Sequence, residues 1–391
     1  MKKSYQILAV LLLAVFCFAL FPESVSAEDS EKVLRVYNWG EYISNGDDGS
    51  LNTIKEFEAR NPGVKVEYTT FATNEEMYAK IASGSANYDI LIPSDYMIGR
   101  MIEEGMLAKL DFDNIPNYSK IDEGFRGLEF DPNNEYSVPY TWGTVGIVYN
   151  KTKVTGPVTS WDVLWDEQYT GQVLMFDNPR DAYGIAMKKL GYSQNTTEKS
   201  RIDEATQLLK DQKSVVQSYV MDQIFSKMPN GEAALAPYYA GDAITMIEEN
   251  PDLDFVVPEE GSNTFVDSMV IPSTSQNKEL AERFINFMLE DDIAQANIEF
   301  IGYSTPMSSV RELLDEELKN SPISYPSQEI LDRCDTFTHL DPETTAYMQE
   351  GWIEILSYGE TNGTPFLLAM VVIVAVILLV LFILKKRKSR Y

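Results

Sequence analysis

Cysteine and histidine are almost absent from this 391-residue chain, which has two of the first and one of the second. Cys17 lies in an apolar N-terminal run that reads as a removable leader, so only Cys334 stays with the processed chain. That chain forms no internal disulfide, even in an exported compartment that would permit one. His339 stands alone with nothing around it to mark a base. Without a Cys/His cluster there is no zinc site, and no glycine-rich loop follows a strand at phosphate-binding spacing. The reading is therefore a non-enzyme without cofactor or metal. Basic residues are scarce as well: 32 Lys and Arg stand against 60 Asp and Glu, a net charge of −28. Residues 1–27 carry +1 and residues 385–391 carry +5, which leaves −34 between them. This balance argues against nucleic acid and anionic ligands and attracts polycations. It equally suits an acidic surface that keeps an extracytoplasmic protein in solution.

Long apolar runs occur only at the two ends. Residues 1–27 read as a signal peptide: Lys2 and Lys3, an apolar stretch from Ile7 to Phe21, and a small-x-small site at Val25-Ser26-Ala27. Val15-Phe16 before Cys17 are too large for a lipoprotein site, so Cys17 is not read as lipidated. Residues 358–365 form a linker rich in Gly, Asn and Pro. Phe366 to Leu384 is apolar and uncharged, long enough to span a bilayer. The basic residues Lys385, Lys386, Arg387 and Lys388 follow as a stop-transfer signal, which makes 385–391 a cytoplasmic tail. The expectation is a single-pass cell-membrane protein with its large domain outside and a C-terminal transmembrane helix as anchor.

Between the ends, 44% hydrophobic and 12% aromatic content supports two domains or one two-lobed domain. The stretch from Val33 to Tyr42 organises it. Leu34 and Val36 alternate as in a strand, which breaks at Asn38-Trp39-Gly40 and delivers Trp39, Glu41 and Tyr42 beyond its end. Ligands of open α/β sheets bind there. Two aromatics around a carboxylate suit a cation on a carbon chain. The same residues also read as an aromatic plug with Glu41 solvated.

Downstream, Gly49–Arg60 spaces Leu51, Ile54 and Phe57 as a helix. Val64–Tyr68 alternates as a strand. Asn74–Ser83 is a helix capped by Thr73 or Asn74, Tyr88–Ile92 a strand, Pro93–Tyr96 a turn and Ile98–Gly105 a helix. This β-α-β-α-β order predicts a parallel sheet. Ser137–Tyr149 crosses into a second lobe. There Gly171–Phe176, Ala233–Asp242 and Leu253–Val257 are strands or strand-turns, and Tyr183–Leu190 and Lys199–Gln212 are helices. Phe265–Pro272 crosses back before a helix at Lys278–Leu289. A last helix runs from about Glu343 to Leu356. No internal repeat or low-complexity tract appears.

Several pieces in this order resemble a known family: Tyr37-Asn-Trp-Gly-Glu-Tyr42, Asn74-Glu-Glu-Met-Tyr-Ala-Lys80, Tyr88-Asp-Ile-Leu-Ile-Pro-Ser94, Ser137-Val-Pro-Tyr-Thr-Trp-Gly143, Lys189-Leu-Gly-Tyr192, Phe265-Val-Asp-Ser-Met-Val-Ile-Pro272 and Ile301-Gly-Tyr-Ser-Thr-Pro306. From about Leu34 to Tyr325 the chain resembles the spermidine/putrescine-binding proteins of ABC importers. The resemblance implies an α/β, two-lobed periplasmic-binding-protein fold of type II with a ligand cleft at the hinge. It would place lobe 1 at 28–142 and 267–308 and lobe 2 at 143–266 and 309–357. The implied partners are a polyamine, a permease and, through it, a cytoplasmic ATPase, with the ectodomain a monomer. The family's aromatic walls fall on Trp39, Tyr42, Tyr96 and Tyr303, and two family tryptophans fall on Tyr239 and Phe265. Its amine-binding Asp falls on Asp267 and a cleft serine on Ser94. A family Asp is replaced by Asn178, a family Glu is shortened to Asp181, and a late Gln near Phe337 has no clear match.

From the residues alone, Asp181 and Asp267 are separated carboxylates for separated ammonium groups, with Glu41 a third candidate. Asp181 also reads as a helix cap, and Tyr303 and Phe265 as core. Two other readings remain at this point. Tyr238, Tyr239 and Asp242 hint at a ferric-ion site, and a membrane-tethered sensor would need a signalling partner because only seven residues follow the anchor.

Overall fold

A computed structural model describes residues 32–359. Its chain begins with β1 (Lys32–Trp39), α1 (Thr53–Arg60), β2 (Val64–Phe71), α2 (Asn74–Ala82), β3 (Ile90–Leu91) and α3 (Asp95–Glu103). β1 lies between β2 and β3, parallel to both. Leu34 and Val36 are wholly buried on one of its faces, while Tyr37 on the other stacks on Tyr88. Asn52 caps α1 by accepting from Lys55 N, and Thr73 caps α2 by accepting from Glu76 N at 3.1 Å. The Glu76 carboxylate returns to Ala72 N, so the entry into α2 is braced from both sides. The expected turn at Pro93–Tyr96 is the start of α3: Asp95 and Tyr96 already belong to the helix, and the Asp95 carboxylate accepts from Tyr96 N.

Beyond this unit come β4 (Ser137–Asn150), β5 (Val173–Phe176), α4 (Pro179–Lys189), α5 (Lys199–Gln212), β6 (Val216–Val220), β7 (Leu235–Tyr239), α6 (Ala240–Glu249), β8 (Leu253–Val256), β9 (Asn263–Val270), α7 (Lys278–Met288), α8 (Asp291–Ile301), β10 (Asp335–Thr336) and α9 (Pro342–Ser357). β4 joins two sheets. Ser137–Thr144 pairs antiparallel with β9, while Val145–Asn150 pairs antiparallel with β7 and β8. The register shifts between Pro139 and Thr141, where proline cannot donate to the ladder. The strand order is β2-β1-β3-β9-β4-β7-β5-β6. β3 meets β9 antiparallel, and β5 lies parallel to both β6 and β7. The result is a two-lobed α/β molecule in which β4 runs from one sheet into the other.

The expected membrane span is not part of this fold. Among the described residues no helix is long and apolar enough to cross a membrane. The longest, α9, has 16 residues. At 1.5 Å per residue it covers about 24 Å, short of a hydrocarbon core of about 30 Å, and it carries Glu343, Glu350 and Glu354. For the described residues the fold class is therefore corrected to a two-lobed α/β fold in which no helix crosses a membrane. Residues 1–27, the linker after Gly359, the run Phe366–Leu384 and the tail 385–391 lie outside the described residues.

Candidate functional site

Strand ends and helix starts converge on one cleft of about 620 Å³, mouth included. β1 ends at Trp39, and Tyr42 follows it. The β3–α3 junction supplies Ser94, Asp95 and Tyr96. α4 supplies Asp181, β7 supplies Tyr239, β9 supplies Phe265 and Asp267, and Tyr303 follows α8. Nine of the ten residues expected at the site therefore line this cleft. The tenth, Glu41, does not. It follows the β1 end with φ +48°, is exposed, and borders a separate concavity with Asp47 and Glu248. A left-handed turn at a non-glycine residue swings it away from Trp39 and Tyr42.

The rings form a connected wall. Tyr42 meets Tyr303 edge-on at 4.7 Å, Tyr303 meets Phe265 at 6.2 Å, and Phe265 meets Tyr239 at 5.6 Å. Opposite, Tyr96 meets Phe337 at 6.0 Å. Gly241 is required by this packing, because a Cβ there would sit 2.1 Å from the Tyr303 ring. A Cβ on Gly40 would lie 2.6 Å from an Asp222 oxygen, so the β1 end and the segment after β6 already approach closely at the mouth.

Carboxylates are set among these rings. Asp267 Oδ2 accepts from the Tyr42 hydroxyl at 2.7 Å, and that hydroxyl also bonds Thr141. The other oxygen, Oδ1, is buried and makes no hydrogen bond. Asp181 Oδ2 accepts from Tyr239 at 2.8 Å and from the Asn178 amide at 2.6 Å. Asp242 Oδ2 accepts from Tyr303 at 2.8 Å. Asp95, Asp181 and Asp242 each occupy the first turn of a helix, where the backbone dipole favours negative charge. Burial still dominates. Desolvation pushes Asp267 up to about 6 against the opposing influence of the neighbouring Ser94 and Tyr42 hydroxyls. It pushes Asp181 up to about 7 and Asp242 up to about 8. Burial of this kind disfavours the ionised carboxylates, and a cation brought beside them favours them.

Asn178 explains the altered segment before α4. Its side-chain oxygen caps the helix by accepting from Arg180 N at 3.0 Å, and its amide turns onto Asp181. Asp181 therefore is not the cap. The neighbouring Arg180 is buried, bonded to Gln194 O at 2.7 Å and Asn195 Oδ1 at 2.6 Å, with its guanidinium 4.0 Å from the Phe337 ring centre. Burial lowers it to about 10.

Sequence reasoning did not assign Asn74, Asp95, Asp222 or Phe337 to the cleft, and it placed Asp242 only in the ferric reading. Asn74 orders the Ser94 turn, accepting from Ser94 N at 3.2 Å and donating to Tyr96 Oη at 3.2 Å. It lies in the quoted run Asn74–Lys80, so its position was visible but its direction was not. The donors of the ferric reading are not gathered on one point: Tyr239 donates to Asp181 and Asp242 accepts from Tyr303. Among the described residues no group of three or more His, Cys, Asp or Glu could hold a metal ion.

A two-lobed α/β scaffold with an aromatic and acidic cleft between strand ends is the architecture of a solute-binding protein. The chain belongs to the bacterial extracellular solute-binding protein family, whose model matches residues 52–326. It is 37% identical to the spermidine/putrescine-binding periplasmic protein of Escherichia coli over 322 residues, 82% of this chain and 90% of that protein. It is 30% identical to the putrescine-binding periplasmic protein SpuD of Pseudomonas aeruginosa, over 83% of this chain and 92% of that one. A solved spermidine/putrescine ABC transporter substrate-binding protein of Streptococcus pneumoniae superposes with a TM-score of 0.70 at 37% identity, covering 84% of this chain and 99% of that one. The curated relatives are named as periplasmic proteins. With no membrane-crossing helix among the described residues, these names correct the expected single-pass membrane location.

Proposed function

We propose that this chain captures a polyamine, spermidine and/or putrescine, in the cleft and delivers it to the permease of an ABC importer. The observation that carries this reading is the buried, unpartnered Asp267 Oδ1 inside an aromatic wall. An orphaned carboxylate oxygen is costly unless a ligand N–H reaches it. A polyamine supplies that N–H, and its methylenes cover the rings. Asp181 and Asp242 stand at separated positions for further ammonium groups, and Trp39, Tyr42, Tyr96, Tyr239, Phe265 and Tyr303 face the chain between them. Ser94 lines the floor beside Asp267.

The energetics are sufficient. Charge-assisted hydrogen bonds contribute about 1.5–3 kcal/mol each, and a desolvated cation–π contact about 2 kcal/mol. Three or four such contacts, less the cost of ordering and closure, reach the roughly −8 kcal/mol of a micromolar complex. The lobes, taken as 28–142 with 267–308 and 143–266 with 309–357, close by bending of β4 and β9, the strands that pass between them. The loaded monomer then meets a permease whose cytoplasmic ATPase drives import.

Thermal melting tests the class. Spermidine or putrescine should raise the melting temperature in a dose-dependent way, while butylamine at the same concentration should not. Equal shifts from butylamine and the polyamines would sink the reading, since one ammonium would then suffice.

A further inference from the structure

Asp95 is the least exposed carboxylate of the cleft, at 1%, and Asp267 is 4% exposed. The short segment Pro93–Tyr96 is laid against β9. Ser268 N donates to Pro93 O at 3.1 Å, and Ser94 bridges Asp267. This pairing brings Asp95 and Asp267 to the lining of one cleft, near enough that the charge of Asp267 raises Asp95. Asp95 is held by backbone donors from both sides, accepting from Tyr96 N at 2.7 Å and from Val266 N at 3.2 Å. Asp267 is held by Tyr42 through Oδ2 and offers its free Oδ1.

We propose that Asp95 and Asp267 form a single two-carboxylate station for one ammonium group, which holds a shared proton when the cleft is empty and exchanges it for the ligand's N–H donors when the cleft fills. Neighbouring carboxylates in a dry site oppose each other's ionisation until enough positive charge reaches them. The proton leaves to bulk water as the ammonium enters, so charge at the station is conserved. The charged and titratable groups facing the pair are Tyr42 after β1, Tyr140 from β4, Arg180 and Asp181 from α4, and Asp242 from α6. Arg180 stabilises the ionised form of Asp95, and the other two carboxylates oppose ionisation. Desolvation raises both members of the pair from the ordinary carboxylate range. Binding therefore releases protons and tightens as pH rises.

The inference rests on the polyamine reading, and the test separates the two. Calorimetry of the full chain with spermidine and with putrescine at pH 5 and pH 8, in buffers of different ionisation enthalpy, compares wild type with Asp95→Asn. The amide keeps the shape of a protonated Asp95 but cannot ionise. The expected result is near-equal affinity at pH 5, at least tenfold weaker binding by the variant at pH 8, and fewer protons released. Wild-type affinity and proton count at both pH values, with an unchanged melting temperature, would overturn the station. A variant weakened equally at both pH values would also overturn it, by assigning Asp95 a purely structural role. Failure of the wild type to bind either amine would instead remove the polyamine reading.

Discussion

At the scale of single residues the proposed recognition leans most on Asp267, because its Oδ1 is buried without a hydrogen-bond partner. Removing it deletes a charge-assisted bond worth about 1.5–3 kcal/mol. Asp267→Ala should weaken polyamine binding at least tenfold while leaving the melting temperature near wild type, as titration calorimetry and thermal melting will show. Wild-type affinity in that variant would take Asp267 out of the site. Gly241 acts by absence: a methyl group there meets the Tyr303 ring at 2.1 Å. Gly241→Ala should displace Tyr303 from Asp242, lower affinity at least tenfold, and lower the melting temperature, because Tyr303 packs on both Tyr42 and Phe265. Trp39 and Tyr42 were legible because they follow a strand end, Asp181 and Asp267 as separated carboxylates, and Ser94, Tyr96, Tyr239, Phe265 and Tyr303 through the family resemblance; the structure brings all nine to one cleft. Glu41 was misplaced because a left-handed turn changes a side chain's direction without altering the pattern around it.

α4 shows at the scale of elements how a cap and a site share one residue. Asn178 satisfies the helix N-terminus and simultaneously holds Asp181. Asn178→Ala should cost about 1 kcal/mol of stability through the lost cap, a drop of about 2–4 °C in melting temperature, and should also weaken binding by freeing Asp181. A variant that loses stability but binds normally would separate the two roles and contradict the coupling. The amphipathic helix Lys199–Gln212 was readable to the residue from its apolar spacing. Other elements were not. Helix α6 follows Tyr239 through Ala240-Gly241-Asp242, which reads as a turn, and Pro93-Ser94-Asp95 likewise hides the start of α3. The short strand β6 is recognisable only by its pairing with β5. Asp95, Asp242 and Phe337 reach the cleft through these tertiary placements, which local periodicity does not encode.

The dominant feature of the whole molecule is a set of buried carboxylates in an acidic protein. Asp181, Asp242 and Asp267 are raised to about 7, 8 and 6 by desolvation. A raised carboxylate means that the folded state binds more protons than the unfolded state, so its contribution to stability is full below about pH 4 and is lost as pH rises towards 8. The empty protein should therefore melt at a higher temperature at pH 5 than at pH 8, and polyamine should stabilise it more at pH 8. Equal ligand-induced shifts at both pH values would contradict this. The net charge of −34 between residues 28 and 384 adds long-range attraction for polycations. Stopped-flow association with spermidine should slow markedly between low and physiological salt, as screening shortens that reach.

The most direct test of the account is titration calorimetry of the full chain with putrescine, spermidine and spermine, with ferric citrate and arginine as controls. The account predicts micromolar or tighter binding of at least one polyamine and no response to either control. Silence with all three polyamines, together with heat from iron or arginine, would contradict it and mean that the same scaffold serves a different ligand.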